Sequence, residues 1–216
     1  AAAEAYAAAE LPGGRADWRE VPWAVVDLET TGLDATRDEV IAFAVVPVDA
    51  GRIRAGAVTY RLVRPQRMPQ ADSIRIHGIR PADLAEAPPL EAQRDVLLEA
   101  LAGRLPVAHA AQVERAFLAP VLAEAGVTLR GPVADTRELG RAWLAEAEPG
   151  TVAPRLELGA LARRLGLPVH RPHHALGDAL TTAQVFLALA TRLERRGRLT
   201  VRSLIAAQEH AGHQRG

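Results

Sequence analysis

The chain has 216 residues, 26 basic against 26 acidic, with 49% hydrophobic and 24% charged side chains, which is ordinary globular composition. Zero net charge excludes a chain-wide basic field, so a nucleic-acid partner must be met by a local site. With no Cys, disulfides, thiolate metal sites and Cys nucleophiles are excluded, and any metal must sit on oxygen or imidazole. At ~150 residues per domain, the length implies one domain plus extensions. The longest apolar run, residues 40–48, is far below the ~18 residues of a membrane span. The Ala-rich start carries Glu4 and no basic segment, unlike a signal peptide, so a cytoplasmic protein is expected.

Residues 1–20, Ala-rich and then broken at Pro12-Gly13-Gly14, read as a tail or linker. Residues 23–28 read as a first strand, ended by the Thr30-Thr31-Gly32 turn. Residues 39–48, almost continuously apolar, read as a second strand buried on both faces, and residues 54–63 as a third after the Asp49-Ala50-Gly51 turn. An irregular stretch with Ile76-His77-Gly78-Ile79 follows. Helices are then expected at 90–101, 112–124, 137–147, 156–165 and 178–195, with short strands at 105–108 and 132–135. A trailing helix is expected at 200–210. Three strands followed by alternating strands and helices indicate a mixed α/β sheet flanked by helices.

Three segments carry possible chemistry. In Asp27-Leu28-Glu29-Thr30-Thr31-Gly32, the acids stand at i and i+2 of a strand and point to one face, where a divalent cation would relieve their repulsion. Alternatively, the segment is a strand ending in a solvated acidic turn. In Pro172-His173-His174-Ala175-Leu176-Gly177-Asp178, Asp178 opens a helix, either as an N-cap or as a metal ligand. His173 is either a surface loop residue or a general base, since an ordinary imidazole with a pKa of ~6.5 takes a proton from water near neutrality. In the segment from Val107 to Leu118, Glu114 precedes Phe117 and Leu118 by three and four residues and shares the apolar side of its helix, where an acid needs a partner, unless it is a helix-edge residue reaching solvent or an Arg.

Taken in order, Val26-Asp27-Leu28-Glu29-Thr30-Thr31-Gly32-Leu33, Ile76-His77-Gly78-Ile79, Asp135-Thr136 and His173-x-x-x-x-Asp178-Ala179 resemble the landmarks of the DEDDh 3′-to-5′ exonucleases, over about residues 21–195. That family includes the proofreading subunit of bacterial DNA polymerase III. The resemblance implies a ribonuclease-H-like fold with a five-stranded mixed β-sheet flanked by α-helices. It divides the chain into a tail (1–20), an exonuclease domain (21–196) and a C-terminal helix and tail (197–216). It also implies two Mg²⁺ or Mn²⁺ ions held by four acids, of which Asp27, Glu29 and Asp178 match directly and Glu114 stands where the family has Asp. By the same resemblance His173 is the catalytic base, and Thr30, Thr31, Gly32 and Leu33 hold the terminal nucleotide with His77 nearby. His174 occupies a variable position and has no assigned role.

The second motif departs from the family at Ala110 (usually Asn), Val113 (usually aromatic) and Glu114. Arg75, Arg80 and Arg171 flank the motifs and are candidates for phosphate contact. The expected activity is release of nucleoside monophosphates from single-stranded or frayed 3′ ends, with DNA favoured over RNA and a polymerase or fused domain as a possible partner. The alternatives are an RNA-trimming enzyme, a non-catalytic module that docks nucleic acid or a polymerase, and a zinc site on His170, His173 and His174, whose spacing lacks a helical i, i+4 pair.

Overall fold

The computed structural model describes residues 1–147, 156–195 and 197–213. The expected boundary at residue 196 and the last residues of the expected C-terminal tail, 214–216, lie outside the described residues. The first strand, β1 (Trp23–Thr30), pairs antiparallel with β2 (Val40–Asp49), whose apolar run is buried along nearly its whole length. A short β3 (Arg52–Ile53) precedes the expected start of the third strand at 54–63, of which only the second half forms, as β4 (Thr59–Leu62). Both pair with β2, separated by a 3₁₀ turn over Ala55–Ala57, where Ala-Gly-Ala has no alternation to hold a strand. β5 (Leu105–Ala108) and β6 (Ala134–Asp135) add in parallel on the other side of β1. The sheet order is β3-β2-β1-β5-β6 with β4 also on β2, so six strands fill the five positions expected.

Between β4 and β5 lie α2 (Ala71–His77) and α3 (Pro81–Leu84), in a stretch expected to be irregular, followed by α4 (Leu90–Leu101). The remaining helices are α5 (Gln112–Ala123), α6 (Thr136–Ala147), α7 (Leu158–Arg164), α8 (Ala175–Glu194) and α9 (Val201–His213). Side chains alternate across the sheet. Trp23, Val25, Ala42, Ala44 and Val46 face a core closed by α8, whereas Ala24, Val26, Phe43 and Val45 face one closed by α4 and α5. Among the described residues, no helix is long and apolar enough to cross a membrane.

The expected tail is corrected on both sides of its Pro-Gly-Gly break. Ala2–Ala8 form α1, which packs on α4 with Tyr6 buried. The Tyr6 hydroxyl donates to the Thr128 carbonyl and accepts from the Arg130 N–H, both at 3.1 Å, and Arg130 Nη1 donates to the carbonyls of Tyr6 and Ala9. That guanidinium satisfies carbonyls freed at the helix C-terminus. Further on, Trp18 is fully buried, meets Phe186 of α8 edge-on with centroids 6.1 Å apart, and donates from Nε1 to Glu194.

At the opposite edge, α9 packs on α6, and Gln208 pairs with the backbone around β6, accepting from Asp135 N and donating to the Val133 carbonyl. This side chain occupies backbone groups of an otherwise open edge. Truncation of Tyr6 to Ala is expected to cost about 3 kcal/mol, a fall in Tm of ~6–12 °C for a chain of this size. Differential scanning calorimetry checks it, and an unchanged Tm would mean that α1 contributes nothing to the fold.

Candidate active site

The site sits where β1 runs out. Asp27 and Glu29 lie on the α8 face of β1, and a register shift between Glu29 and Thr30, opposite Ala42 and Val40, bends the strand end. α8 comes close above them because the facing residues are small: Ala42 and Ala44 on β2, and Ala175, Ala179 and Ala183 on α8, all buried. This helix begins at Ala175, three residues before the expected start. Asp178 is therefore no N-cap. His174 holds that position without a side-chain cap bond, and Asp178 lies in the first turn with its carboxylate shared between the other acids and the His173 N–H. One oxygen from each of Asp27, Glu29 and Asp178 lies within 4.8 Å of the others.

Glu114 comes from the other side, in the first turn of α5, and is buried. The start of α5 is fixed by Asp135, whose carboxylate accepts from the N–H groups of Ala110 (3.1 Å) and Ala111 (2.9 Å), as well as from Arg137 N. Ala110 has φ +66°, a left-handed conformation that Asn tolerates better than Ala. Glu114 lies outside the 4.8 Å triad, and its Oε2 is buried without a hydrogen-bond partner among the described residues. Even so, its charge acts on Asp27 more strongly than that of Asp178 or Glu29.

Electrostatics follow from four carboxyls crowded together, Glu29 and Glu114 buried and Asp27 and Asp178 half-buried. Burial first, and then the charges of Glu114, Asp178 and Glu29, hold the Asp27 carboxyl well above the usual range. Burial and the Asp178 charge raise Glu29 to about 7. Burial raises Glu114 to about 8, helped by Asp135 and opposed by its own backbone N–H and by Arg137. Asp178 is raised by burial, against the pull of the His173 N–H and imidazole. An all-oxygen set of this kind fits Mg²⁺ or Mn²⁺, and the orphaned Glu114 oxygen is a donor with nothing else to hold.

His173 is exposed at φ +55°, and its backbone N–H donates to Asp178 Oδ2 at 2.8 Å. The tight loop depends on Gly177, since a Cβ there would overlap the Arg171 carbonyl. His174 stacks on Tyr60 with centroids 4.9 Å apart, and His170 Nε2 is bonded to Gln184, so these histidines do not form the zinc site considered above.

The Thr30-Thr31-Gly32-Leu33 turn is held by Asp38, which the sequence reading missed. Its carboxylate accepts from Thr31 Oγ1 and from Asp34 N, both at 2.9 Å, and leaves no room for a Cβ at Gly32. Thr30 Oγ1 donates to the Gly32 carbonyl, and Leu33 stands 88% exposed at the tip. His77 is buried and accepts from Ile79 N at Nδ1, so its neutral ring carries the proton on Nε2, which has no partner among the described residues. Burial lowers its pKa, as does the nearby His173. His77 lines a groove of about 520 Å³ with Tyr60, Arg80, Arg171 and His174. Arg75 and Arg80 are paired within their own helical turns, with Asp72 and Asp83.

Asp135 was legible as part of the Asp135-Thr136 landmark, though not its task of fixing α5. His109 belongs to the same support, with Nε2 donating to the Leu156 carbonyl (2.8 Å) and Nδ1 facing Thr136 Oγ1 (3.0 Å). Asp38 and Tyr60 carry no motif that would have marked them.

The model of the Exonuclease family, RNase_T, matches residues 24–186. The chain belongs to that family. A Rhodobacter capsulatus protein named DNA polymerase III subunit epsilon-like is 36% identical over 196 residues, covering 87% of this chain and 27% of its own length. A putative bifunctional exonuclease/endonuclease protein of Mycobacterium tuberculosis is 33% identical over 200 residues, covering 90% of this chain and 30% of its own. The chain thus spans under a third of either relative. Exonuclease X, solved in complex with 5′ overhanging duplex DNA, superposes with a TM-score of 0.64 at 25% identity, covering 86% of this chain and 99% of that one. The expected ribonuclease-H-like α/β architecture and the resemblance to DEDDh exonucleases agree with these findings, and the family is one of hydrolases acting on nucleic acid.

Raised carboxyl pKa values make a prediction for the metal-free exonuclease. A carboxyl whose folded pKa lies above its unfolded value stabilises the fold at acid pH and loses that contribution as pH rises through the folded value. For Glu29 and Glu114 the loss runs from the ordinary glutamate value of 4.5 up through about 7 and about 8. In EDTA, Tm should therefore fall between about pH 5 and pH 8.5, by about 2–4 °C for each kcal/mol lost. Added Mn²⁺ should recover more at the upper end. A calorimetric Tm independent of pH and of Mn²⁺ would contradict the crowding of these acids.

Proposed function

We propose that this domain is a metal-dependent 3′-to-5′ exonuclease that removes nucleoside monophosphates from single-stranded or frayed 3′ ends, with DNA as its main substrate. The observation that carries the reading is the convergence of Asp27, Glu29 and Asp178 within 4.8 Å, beside the orphaned Glu114 oxygen and a histidine loop tied to Asp178. DNA is favoured by the DNA-bound exonuclease that superposes on the chain. The name of the epsilon-like relative supports a DNA polymerase as partner and the cytoplasm as the place of action. The catalytic unit is residues 21–196, within which the family match falls.

Divalent cations, two in this reading, would be held by Asp27, Glu29, Asp178 and Glu114, neutralising the acids and the phosphate and lowering the pKa of the attacking water. His173 takes the proton from that water as its oxygen bonds to phosphorus, and the bond to the 3′ oxygen of the preceding nucleotide breaks. The Asp178 carboxylate accepts the His173 N–H and so fixes the loop. The turn of Thr30, Thr31 and Gly32 receives the terminal nucleotide, with exposed Leu33 against its base. The unpaired Nε2–H of His77 offers a donor to the same end of the strand.

One observation favours a second reading, in which the chain binds nucleic acid without turnover: Glu114 stands outside the acidic triad. Incubation of 5′-labelled single-stranded DNA and matched RNA with Mn²⁺, Mg²⁺ or EDTA decides between them. A metal-dependent ladder that shortens DNA from the 3′ end, and is abolished by Asp178→Ala, is the expected result. Binding without shortening on either polymer would select the second reading.

Glu114 makes a finer prediction. Its extra methylene shifts the carboxylate by about 1.5 Å, and Mg²⁺ demands near-octahedral geometry at ~2.0–2.1 Å. Mn²⁺ should support several-fold more activity than Mg²⁺, and Glu114→Asp should narrow the ratio. Steady-state rates in the two metals check it, and an unchanged ratio in Glu114→Asp would remove the substitution as its cause.

A further inference from the structure

Tyr60 belongs to no motif, yet the sheet carries it to the catalytic row. In the paired register Asp27 of β1 lies opposite Ala44 of β2, and Ala44 lies opposite Tyr60 of β4. Directly paired residues share a face, so Tyr60 projects from the side that carries Asp27 and Glu29 and is covered by α8. There its ring stacks on His174, with centroids 4.9 Å apart and planes inclined by 28°.

His174 is the N-cap residue of α8, but its side chain makes no capping bond. Its neighbour His173 holds φ +55°, a conformation that costs energy in any non-Gly residue and persists only where its surroundings fix it. His170 is held to α8 through Thr181 and Gln184, and three further contacts bear on the residues around His173. The Arg171 carbonyl packs against Gly177, the His173 N–H binds Asp178, and the His174 ring lies on Tyr60. The first two belong to the loop and α8 themselves. Tyr60 alone of the three anchors comes from the sheet, and so ties the loop to the strands that carry Asp27.

We propose that Tyr60 is a positioning residue for His173, acting through its stack on His174, and that its aromatic face rather than its hydroxyl does this. The inference rests on His173 being the base. Misplacement of a reacting group by about 1 Å costs up to ~100-fold in rate. The stack should therefore appear in kcat and leave KM for the nucleic acid nearly unchanged.

The test compares kcat and KM on single-stranded DNA with Mn²⁺ for the wild type, Tyr60→Phe, Tyr60→Ala, His173→Ala and the double variant Tyr60→Ala/His173→Ala. Tyr60→Phe should retain kcat within about 2-fold, whereas Tyr60→Ala should lose about 10–100-fold with little change in KM. In the His173→Ala background, Tyr60→Ala should cost nothing further, because the residue it positions is gone. If Tyr60→Ala melts too low to assay, His174→Gly removes the stack from the other side and should show the same loss and the same non-additivity.

An unchanged kcat in Tyr60→Ala beside a strongly impaired His173→Ala would overturn the proposal while leaving the base in place. So would an equal loss in both backgrounds, or a loss confined to KM. A fully active His173→Ala would instead overturn the reading of His173 as base, and the positioning role with it.

Discussion

Three carboxyls meet at the end of β1 with a fourth, Glu114, set back behind them, and their mutual repulsion is the constraint around which the rest of the molecule is arranged. Asp27 and Glu29 stand together because a strand repeats every two residues, and Asp178 reaches them because α8 opens just above. Such a cluster works against folding unless protons or cations neutralise it. The raised pKa values of Asp27, Glu29, Glu114 and Asp178 register the first remedy. Divalent cations are the second, and the chemistry proposed here uses them.

Much of the remaining structure holds those acids against their repulsion. Alanines on β2 and α8 let helix and sheet approach, while the far end of α8 is anchored by Trp18, Arg19 and Glu194. On the other side, the α5 N-terminus hangs from Asp135, and the backbone of Asp135 is in turn bound by Gln208 of α9. Segments outside the family match, α9 and the stretch around Trp18, are thus continuous with the supports of the site. The N-terminal helix α1 adds to the opposite core through Tyr6.

Legibility in the sequence followed the range of the interactions. Local pattern gave α4 at 90–101 and β5 at 105–108 to the residue, and the i, i+2 acids of β1 could be read from strand periodicity alone. The start of α8 was misread because an Asp ahead of an apolar run looks like an N-cap. Here the Asp178 carboxylate instead turns to the other acids and back to the His173 N–H. The Ala-rich start looked like a tail because Tyr6 is fixed by Thr128 and Arg130, more than a hundred residues away, and nothing local announces that. The shortening of the third strand to β4, the role of Asp38 and the Tyr60–His174 stack are likewise products of tertiary contact. The Glu114 substitution was visible, but only the fold reveals that its carboxylate is buried, unpaired and set back from the triad.

The central claim is that these acids form one cation site, and anomalous diffraction from crystals grown with Mn²⁺ addresses it without reference to turnover. The account predicts anomalous density among the carboxylates of Asp27, Glu29 and Asp178, with Glu114 as a further ligand. Clear density for the four side chains with no anomalous peak between them at saturating Mn²⁺ would contradict it.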